Sequence, residues 1–208
     1  AASPAGAPAP RSDAAAFCGA VAHLCGLALA NIRRAEIEDR QRRLIREMTH
    51  AREVQQRLAP GGAGACGPVR YAAHSAPGGL VAGDLMGVLD LGGGRVAAYV
   101  GDVCGKGVGP GMIMASVQAH LHAELTAGLS PAAAMNETNA YLASICPPGE
   151  FCTLFLAVVD AAAGAIECVD AGHAYAVLAG DGGPPRWLRI DGAPPLGVDA
   201  RAEYPPCT

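Results

Sequence analysis

Two aspartates, Asp84 and Asp102, stand at matching distances from a glycine turn and are the strongest candidates for chemistry in this chain. The apolar segments 85–91 and 95–103 flank the turn 92–94 and predict a β-hairpin. Residues equally far from a hairpin turn lie side by side, so we expect the two carboxylates to converge at one sheet edge. Such a pair repels unless a hard divalent cation, Mg²⁺ or Mn²⁺, binds through its oxygens. The alternative is that both aspartates cap turns at strand ends.

The densest glycine segment, GDVCGKGVGPG (101–111), begins at the end of the second strand and leads into a predicted helix. It is not a Walker loop, because its glycine spacing is one residue short and a glycine follows Lys106 where Ser or Thr is required. The dinucleotide-binding pattern also fails, since Pro110 stands where its third glycine belongs. What the segment predicts is a strand that brings an aspartate to a rim, with glycines that let the backbone approach a charged group.

Histidines and cysteines give weaker candidates. His120 and His122 are two residues apart on a predicted helix and point to different faces, which disfavours a shared metal site. The eight cysteines include no CxxC pair. We expect them to be reduced and mostly buried as small apolar side chains.

A long helix is predicted ahead of these motifs. From Asp13 to about Leu58 the chain has no proline and consists largely of good helix formers, as one or two helices. Apolar residues repeat every seventh position in its second half, which favours a short parallel coiled coil. The alternative is a helix that lies on its own domain. The repeat consists of Ile37, Leu44, Ala51 and Leu58, with Gln41, Met48 and Gln55 at the intervening positions of the same seam.

Pro60-Gly61-Gly62 ends this helix, and short β segments separated by glycine turns begin at Val69. After the hairpin, two helices are expected near 110–127 and 131–145, the second with Ser130 as its N-cap. An order of strands, two helices and strands predicts an α+β fold with helices packed on an antiparallel sheet. The later strands are predicted at 153–160, 165–172, 175–180 and 186–190.

Composition narrows the class of protein. The net charge is -4 without a long run of either sign, which argues against a nucleic-acid partner. The beginning of the chain lacks the layout of a signal peptide, and we expect no membrane-spanning segment, so the prediction is a soluble, cytoplasmic protein that does not bind membranes. The Ala- and Pro-rich residues 1–12 are interpreted as a flexible lead-in.

Several motifs, in this order and spacing, resemble the SpoIIE/RsbU-like branch of the PPM-type metal-dependent serine/threonine phosphatases. The resemblance covers about residues 50–199 and includes REVQQRLAP (52–60), which is similar to the helix end that precedes the catalytic domain. Residues 17–38 resemble, more faintly, the closing helix of a GAF sensor domain. The motifs are VAGDLMG (81–87), GDVCGKG (101–107), FCTLFLAVVD (151–160), DAGHAY (170–175) and GAPPLGV (192–198).

The resemblance implies a PPM-like layered β-sandwich flanked by helices and preceded by a long linker helix. It implies a two-metal site for Mn²⁺ or Mg²⁺, with Asp84 and Asp102 as ligands and catalytic residues and with Val103 supplying a backbone carbonyl. The implied reaction is hydrolysis of phosphoserine or phosphothreonine on a regulatory protein, typically an anti-sigma-factor antagonist, in bacterial signalling. Lys106 is a candidate for substrate binding, and a turn role is favoured for His173.

The chain departs from the family pattern in places. Gly87 replaces a second aspartate and Cys104 replaces a serine, which puts a thiol beside the expected metal. The remaining metal-binding aspartates of the family follow the PPLGV segment, so we expect a phosphatase domain over 66–208 that is truncated at its C-terminus. Ahead of it we expect a GAF-terminal and linker helix over 13–59, which forms a homodimer. Asp191 belongs to a different position and is not assigned as a ligand. The alternative function is a weak or inactive phosphatase-like binding module.

Overall fold

The computed structural model describes residues 12–76, 81–180, 182–188 and 193–207. A long helix comes first, followed by a short strand pair, a β-hairpin, two helices and four more strands. The bounds are α1 Ser12–Leu58, β1 Ala63–Cys66, β2 Val69–Ala72, β3 Asp84–Gly92, β4 Arg95–Val103, α2 Val108–Thr126, α3 Pro131–Ile145, β5 Cys152–Asp160, β6 Ala165–Ala171, β7 Ala176–Leu178 and β8 Arg186–Leu188.

The central element is a four-stranded antiparallel sheet in the order β3-β4-β5-β6. Buried and half-buried side chains alternate along β5, as expected of a strand with one face on the core. Two smaller two-stranded sheets are formed by β1 with β2 and by β7 with β8. This arrangement confirms the predicted α+β class, with antiparallel sheets and a long N-terminal helix.

Helices α2 and α3 pack on the sheet and supply much of the core, with Leu121 and Leu142 fully buried against strand residues such as Leu156. The predicted start of α3 is confirmed, because the Ala133 N–H donates to the Ser130 hydroxyl at 3.3 Å, with proline at the first helical position. Capping and burial together fix the helix pair over the strands that carry the candidate aspartates.

The last part of the described chain closes the core by long-range contacts that the strand pattern did not predict. Leu196 forms an isolated antiparallel bridge with Cys152, and Tyr204 is only 1% exposed. Asn139 of α3 accepts from the Gly197 N–H at 2.9 Å and donates to the Asp199 carbonyl at 2.8 Å. A polar helix face therefore holds this irregular segment in place.

Helix α1 is one continuous helix, and the chain divides into two compact units within it, after Glu47. The first unit carries exposed i,i+4 ion pairs, such as Arg43 with Asp39 at 2.6 Å. The second unit, Met48–Thr208, contains the end of α1 and all the sheets. The proposed division into a linker over 13–59 and a domain over 66–208 stays a prediction.

We predicted that no segment is long and apolar enough to span a membrane, and this prediction is wrong. Residues 14–32 contain no Asp, Glu, Lys or Arg, and α1 has an 18-residue window with a mean hydropathy of 1.7. None of the residues in that window is buried. A single window of this kind is weak support for a membrane span, because soluble proteins also contain such helices.

Some predictions fall at the edges of the described chain. Of the lead-in at 1–12, residues 1–11 lie outside the described residues, and Ser12 begins α1. The strand predicted at 186–190 is present over Arg186–Leu188, and residues 189–190 and Asp191 lie outside the described residues. Strand β1 was not predicted.

Candidate active site

The β3–β4 register places Asp84 directly opposite Asp102, as the spacing from the glycine turn predicted. Directly opposed residues of an antiparallel pair project from the same face of the sheet. Both side chains are exposed at the edge, whereas Leu85, one position further along β3, is 1% exposed and belongs to the core. The sheet therefore presents the two carboxylates together on a rigid support.

Close backbone approach at this edge requires glycine at two positions. A Cβ at Gly101, the partner of Leu85, would collide with the carbonyl oxygen of Thr153 on β5. A Cβ at Gly83 would lie 2.5 Å from the Val103 carbonyl oxygen and 3.1 Å from Asp102 Oδ1. These glycines of the VAGD and GDV motifs are thus needed for the packing of the site.

Val103 contributes backbone to the site, since its side chain is fully buried. Its N–H donates to the Gly83 carbonyl at 3.2 Å, which continues the strand pairing past Asp84. Its carbonyl oxygen and Asp102 Oδ1 both face the position that a Gly83 Cβ would occupy. The structure thus brings two carboxylates and one backbone carbonyl to the same edge, as expected for these three residues.

Among the described residues, no salt bridge balances the charge of the pair. Although Asp102 is exposed in part, the partial burial of its carboxyl raises its pKa above the ordinary value, and the neighbouring charge of Asp84 and a hydrogen bond to it raise the pKa further. The charge of His173 acts in the opposite direction. Ser75 donates a hydroxyl hydrogen bond to Asp84 Oδ2 at 3.3 Å.

Thr153 and His173 form a second layer behind Asp102. Thr153 is the register partner of Asp102 on β5, and its hydroxyl lies 3.5 Å from the Asp102 carbonyl oxygen and 3.0 Å from His173 Nδ1. The backbone N–H of His173 donates to Asp170 Oδ1 at 2.8 Å, so His173 lies in the expected turn. The proximity of the imidazole to Asp102 was not predicted, because it depends on a contact between distant parts of the chain.

Lys106 and Cys104 follow Asp102 in the glycine loop. Lys106 is exposed and makes no ion pair with any residue in the described part of the chain, so its role in substrate binding stays a prediction. Cys104 Sγ accepts from the Phe151 N–H at 3.1 Å and lies 3.5 Å from the Gly149 carbonyl oxygen. The thiol therefore contacts the backbone of the 149–151 turn, and it makes no hydrogen bond with either aspartate.

A cavity of about 230 Å³ adjoins Asp84 and widens the candidate site. Its wall combines the end of α1 with the segment after β2, and it carries polar and cationic groups from both. These include Arg52, Gln55, His74 and Ser75. None of these four side chains was predicted as a site residue: Gln55 was placed in the seam of the heptad repeat, and the resemblance assigned 52–60 only as a helix end.

The donor set fits a hard divalent cation in its chemistry, since it consists of oxygen atoms. Within residues 12–76, 81–180, 182–188 and 193–207, no group of three or more His, Cys, Asp or Glu side chains is placed to hold a metal. Asp84 and Asp102, with the Val103 carbonyl, would supply three of the roughly six oxygen ligands that such a cation needs.

The chain is similar to one protein family and to a named relative. The family described as Stage II sporulation protein E (SpoIIE) matches residues 92–208, which is more than half of the chain and includes Asp102. Phosphoserine phosphatase RsbP of Bacillus subtilis (strain 168) is 30% identical over 128 residues. That alignment covers 60% of this chain and 32% of RsbP, so the chain spans about a third of that relative's length.

Solved structures support the fold. The RsbU and RsbW domains of Rv1364c from Mycobacterium tuberculosis align with a TM-score of 0.55 at 24% identity, over 63% of this chain and 36% of theirs. The SiaA-PP2C domain of Pseudomonas aeruginosa aligns with a TM-score of 0.63 at 18% identity, over 80% of this chain and 67% of its own. At these identities the likeness concerns the fold alone.

Proposed function

The chain belongs to the SpoIIE family, and from that membership we propose that it carries a metal-dependent protein serine/threonine phosphatase domain. The observation that carries the proposal is the register of Asp84 opposite Asp102, which leaves two carboxylates facing each other at an exposed sheet edge. RsbP, which is named a phosphoserine phosphatase, supports the same reaction class for the part of the chain that it matches.

The residues divide the work between binding and positioning. Asp84 and Asp102 would hold a divalent cation, Mn²⁺ or Mg²⁺, together with the Val103 carbonyl. When bound, such a cation lowers the pKa of a coordinated water and stabilises charge on the phosphoryl group. Hydrolysis by activated water needs no serine or cysteine nucleophile. Thr153, through its hydroxyl near the Asp102 carbonyl, fixes the backbone that carries one ligand.

The proposed substrate is a phosphoserine or phosphothreonine on a regulatory protein, of the anti-sigma-factor-antagonist type. Lys106 is exposed four residues after Asp102 and is proposed to meet the charge of that phosphoprotein.

We further propose a homodimer through α1, because Ile37 and Leu44 of the heptad repeat are 59% and 52% exposed.

The first test is Mn²⁺-dependent release of phosphate from a phosphoserine protein by this chain. Asp102→Asn serves as the inactive control, and a longer version that continues past Thr208 along its gene serves as the comparison. We expect release that Asp102→Asn abolishes. Release by the longer version only would assign essential ligands to the added sequence, and release by neither would contradict the phosphatase proposal.

A second candidate function is a phosphatase-like module that binds its phosphoprotein without hydrolysis. It is favoured by the small donor set, since the described residues place two carboxylates at the site. Titration of the phosphoprotein into the chain, followed by phosphate analysis of the bound fraction, separates the two functions. Retention of the phosphate in the complex would favour the binding module.

Cytoplasmic localisation is part of the proposal. The apolar residues 14–32 of α1 give it a direct test, which is fractionation of cells that express the chain. Recovery in the soluble fraction is expected, and recovery in the membrane fraction that persists after a carbonate wash would assign that helix to the bilayer instead.

A further inference from the structure

The last turns of α1 are joined to the segment that delivers Asp84 through one side chain, Gln55. Its Nε2 donates to the Ala82 carbonyl at 2.8 Å, and its Oε1 accepts from the Ala82 N–H at 3.1 Å. A carboxamide that satisfies both backbone groups of one residue imitates the pairing of a neighbouring strand. Ala82 is therefore held at both its N–H and its carbonyl, two residues before the first candidate ligand.

A second carboxamide fixes the helix end itself. Gln118 of α2 is 9% exposed, and its Nε2 donates to the Leu58 carbonyl at 2.7 Å. The same Nε2 lies 3.5 Å from the Met86 carbonyl oxygen on β3. Carbonyls in the last turn of a helix have no partner within the helix, so this bond satisfies one of them. The helix end consequently cannot move away from β3 without breaking both sets of bonds.

The packing around Gln55 leaves it little alternative. A Cβ at Gly111 of α2 would collide with Val81 and would lie 2.8 Å from Gln55 Nε2. Glycine at this position makes room for the carboxamide, which lies 3.5 Å from the Gly111 carbonyl oxygen. The neighbouring Gln56 on α1 is exposed and makes no hydrogen bond within the described part of the chain. Two adjacent glutamines thus differ in contacts while sharing chemistry and helical context.

We propose that Gln55 is a positioning residue of the active site, which holds Ala82 so that Asp84 meets Asp102 in metal-binding geometry. Two sets of bonds hold the residues just before Asp84: the Gln55 carboxamide binds Ala82, and the Val103 N–H donates to the Gly83 carbonyl. Loss of the carboxamide would free the strand entry and separate the two carboxylates. The inference rests on the proposed phosphatase function, since it assigns Gln55 a role in that site.

The test compares Gln55→Leu with Gln56→Leu, a matched change on the same helix. Hydrogen exchange at the Ala82 N–H in metal-free protein reports the clamp, and electron paramagnetic resonance of free Mn²⁺ reports affinity. We expect faster exchange at Ala82 and an Mn²⁺ affinity weaker by about tenfold in Gln55→Leu, as for other groups that orient metal ligands. Saturating Mn²⁺ should largely restore kcat. Gln56 lines the same cavity beside Asp84 but does not bind Ala82, so Gln56→Leu controls for loss of a carboxamide and should keep wild-type exchange at Ala82 and wild-type Mn²⁺ affinity.

Gln55→Glu keeps the acceptor for the Ala82 N–H and removes the donor to its carbonyl, so it serves if Gln55→Leu does not fold. Equal Mn²⁺ affinity in the Gln55 variants and in Gln56→Leu would overturn the inference, even if the Gln55 variants melt earlier. Failure of both the wild type and the longer version to release phosphate would overturn the proposed function, and with it this role for Gln55. The exchange data then still report whether the clamp exists.

Discussion

Six aspartates at strand ends or in loops form two groups that differ in what their carboxylates accept. One group caps turns: Asp90, Asp160, Asp170 and Asp199 accept backbone N–H groups two to four residues further along the chain. The other group is the pair Asp84 and Asp102, neither of which accepts a backbone N–H within the described residues. Both groups stand at strand ends or in loops, so position in the sequence does not separate them.

The comparison favours the cation interpretation of the hairpin aspartates over turn capping. A carboxylate that accepts local N–H groups stabilises a turn and has its charge partly satisfied there. A carboxylate that faces another carboxylate is left to repel its neighbour, which leaves room for a cation. The two proposed metal ligands therefore lower stability, whereas the capping group contributes to stability.

The largest expected effect comes from comparing one substitution in each group for its effect on the rate of phosphate release. Asp84→Asn removes a metal ligand and is expected to lower Mn²⁺-dependent phosphate release by at least about a hundredfold. Asp90→Asn, on the same strand, keeps an oxygen acceptor for the Gly92 N–H and is expected to leave the rate near that of the wild type. Phosphate release with Mn²⁺ in excess measures both. Equal losses in the two variants would end the distinction between the groups.

The next effect concerns the buried member of the capping group. Asp170 is 6% exposed and accepts from the N–H groups of His173 and Ala174, where Ala174 has a φ of 60°. Asp170→Ala leaves these donors unpaired and should lower the free energy of unfolding by about 3 kcal/mol. Urea denaturation measures it, and Asp170→Asn, which retains one acceptor oxygen, should lose less. An unchanged midpoint in both variants would show that the turn does not need its cap.

An exposed member of the same group should matter less. Asp160 Oδ1 accepts from the Ala162 and Ala163 N–H groups at 3.0 and 2.9 Å in the turn before β6. Water can replace these bonds, so Asp160→Ala is expected to cost about 1 kcal/mol. The same denaturation experiment checks the ranking, which is wrong if Asp160→Ala costs as much as Asp170→Ala.

The smallest effect is a gain of stability in the site pair. Because the folded state raises the pKa of Asp102 above its unfolded value, folding favours the protonated carboxyl, and the ionised form destabilises the fold at neutral pH. The penalty disappears once pH falls below the ordinary aspartate pKa of about 3.9. Asp102→Asn in EDTA should therefore raise Tm at neutral pH and leave it unchanged in acid. A lower Tm at neutral pH would contradict this sign.

The hairpin and α3 were predictable because their signals are local. The turn at 92–94 and the strand lengths set the register of Asp84 and Asp102, and Ser130 followed by proline marked a helix start. The family motifs also lie in short contiguous segments. The metal-ligand roles of Asp84, Asp102 and Val103 stay predictions, although the structure places the three together.

By itself, the sequence determined the β-hairpin, the two helices that follow it and which two carboxylates share an edge, since hydrophobic period and turn chemistry act over a few residues. Tertiary structure alone decided that Gln55 binds Ala82, that Gln118 binds Leu58 and that His173 reaches Thr153. Each of these bonds joins residues separated along the chain by 20 or more positions. Gln55 and Gln56 are adjacent glutamines of one helix, yet Gln56 is exposed whereas Gln55 clamps the backbone next to a candidate ligand. Only packing separates their roles.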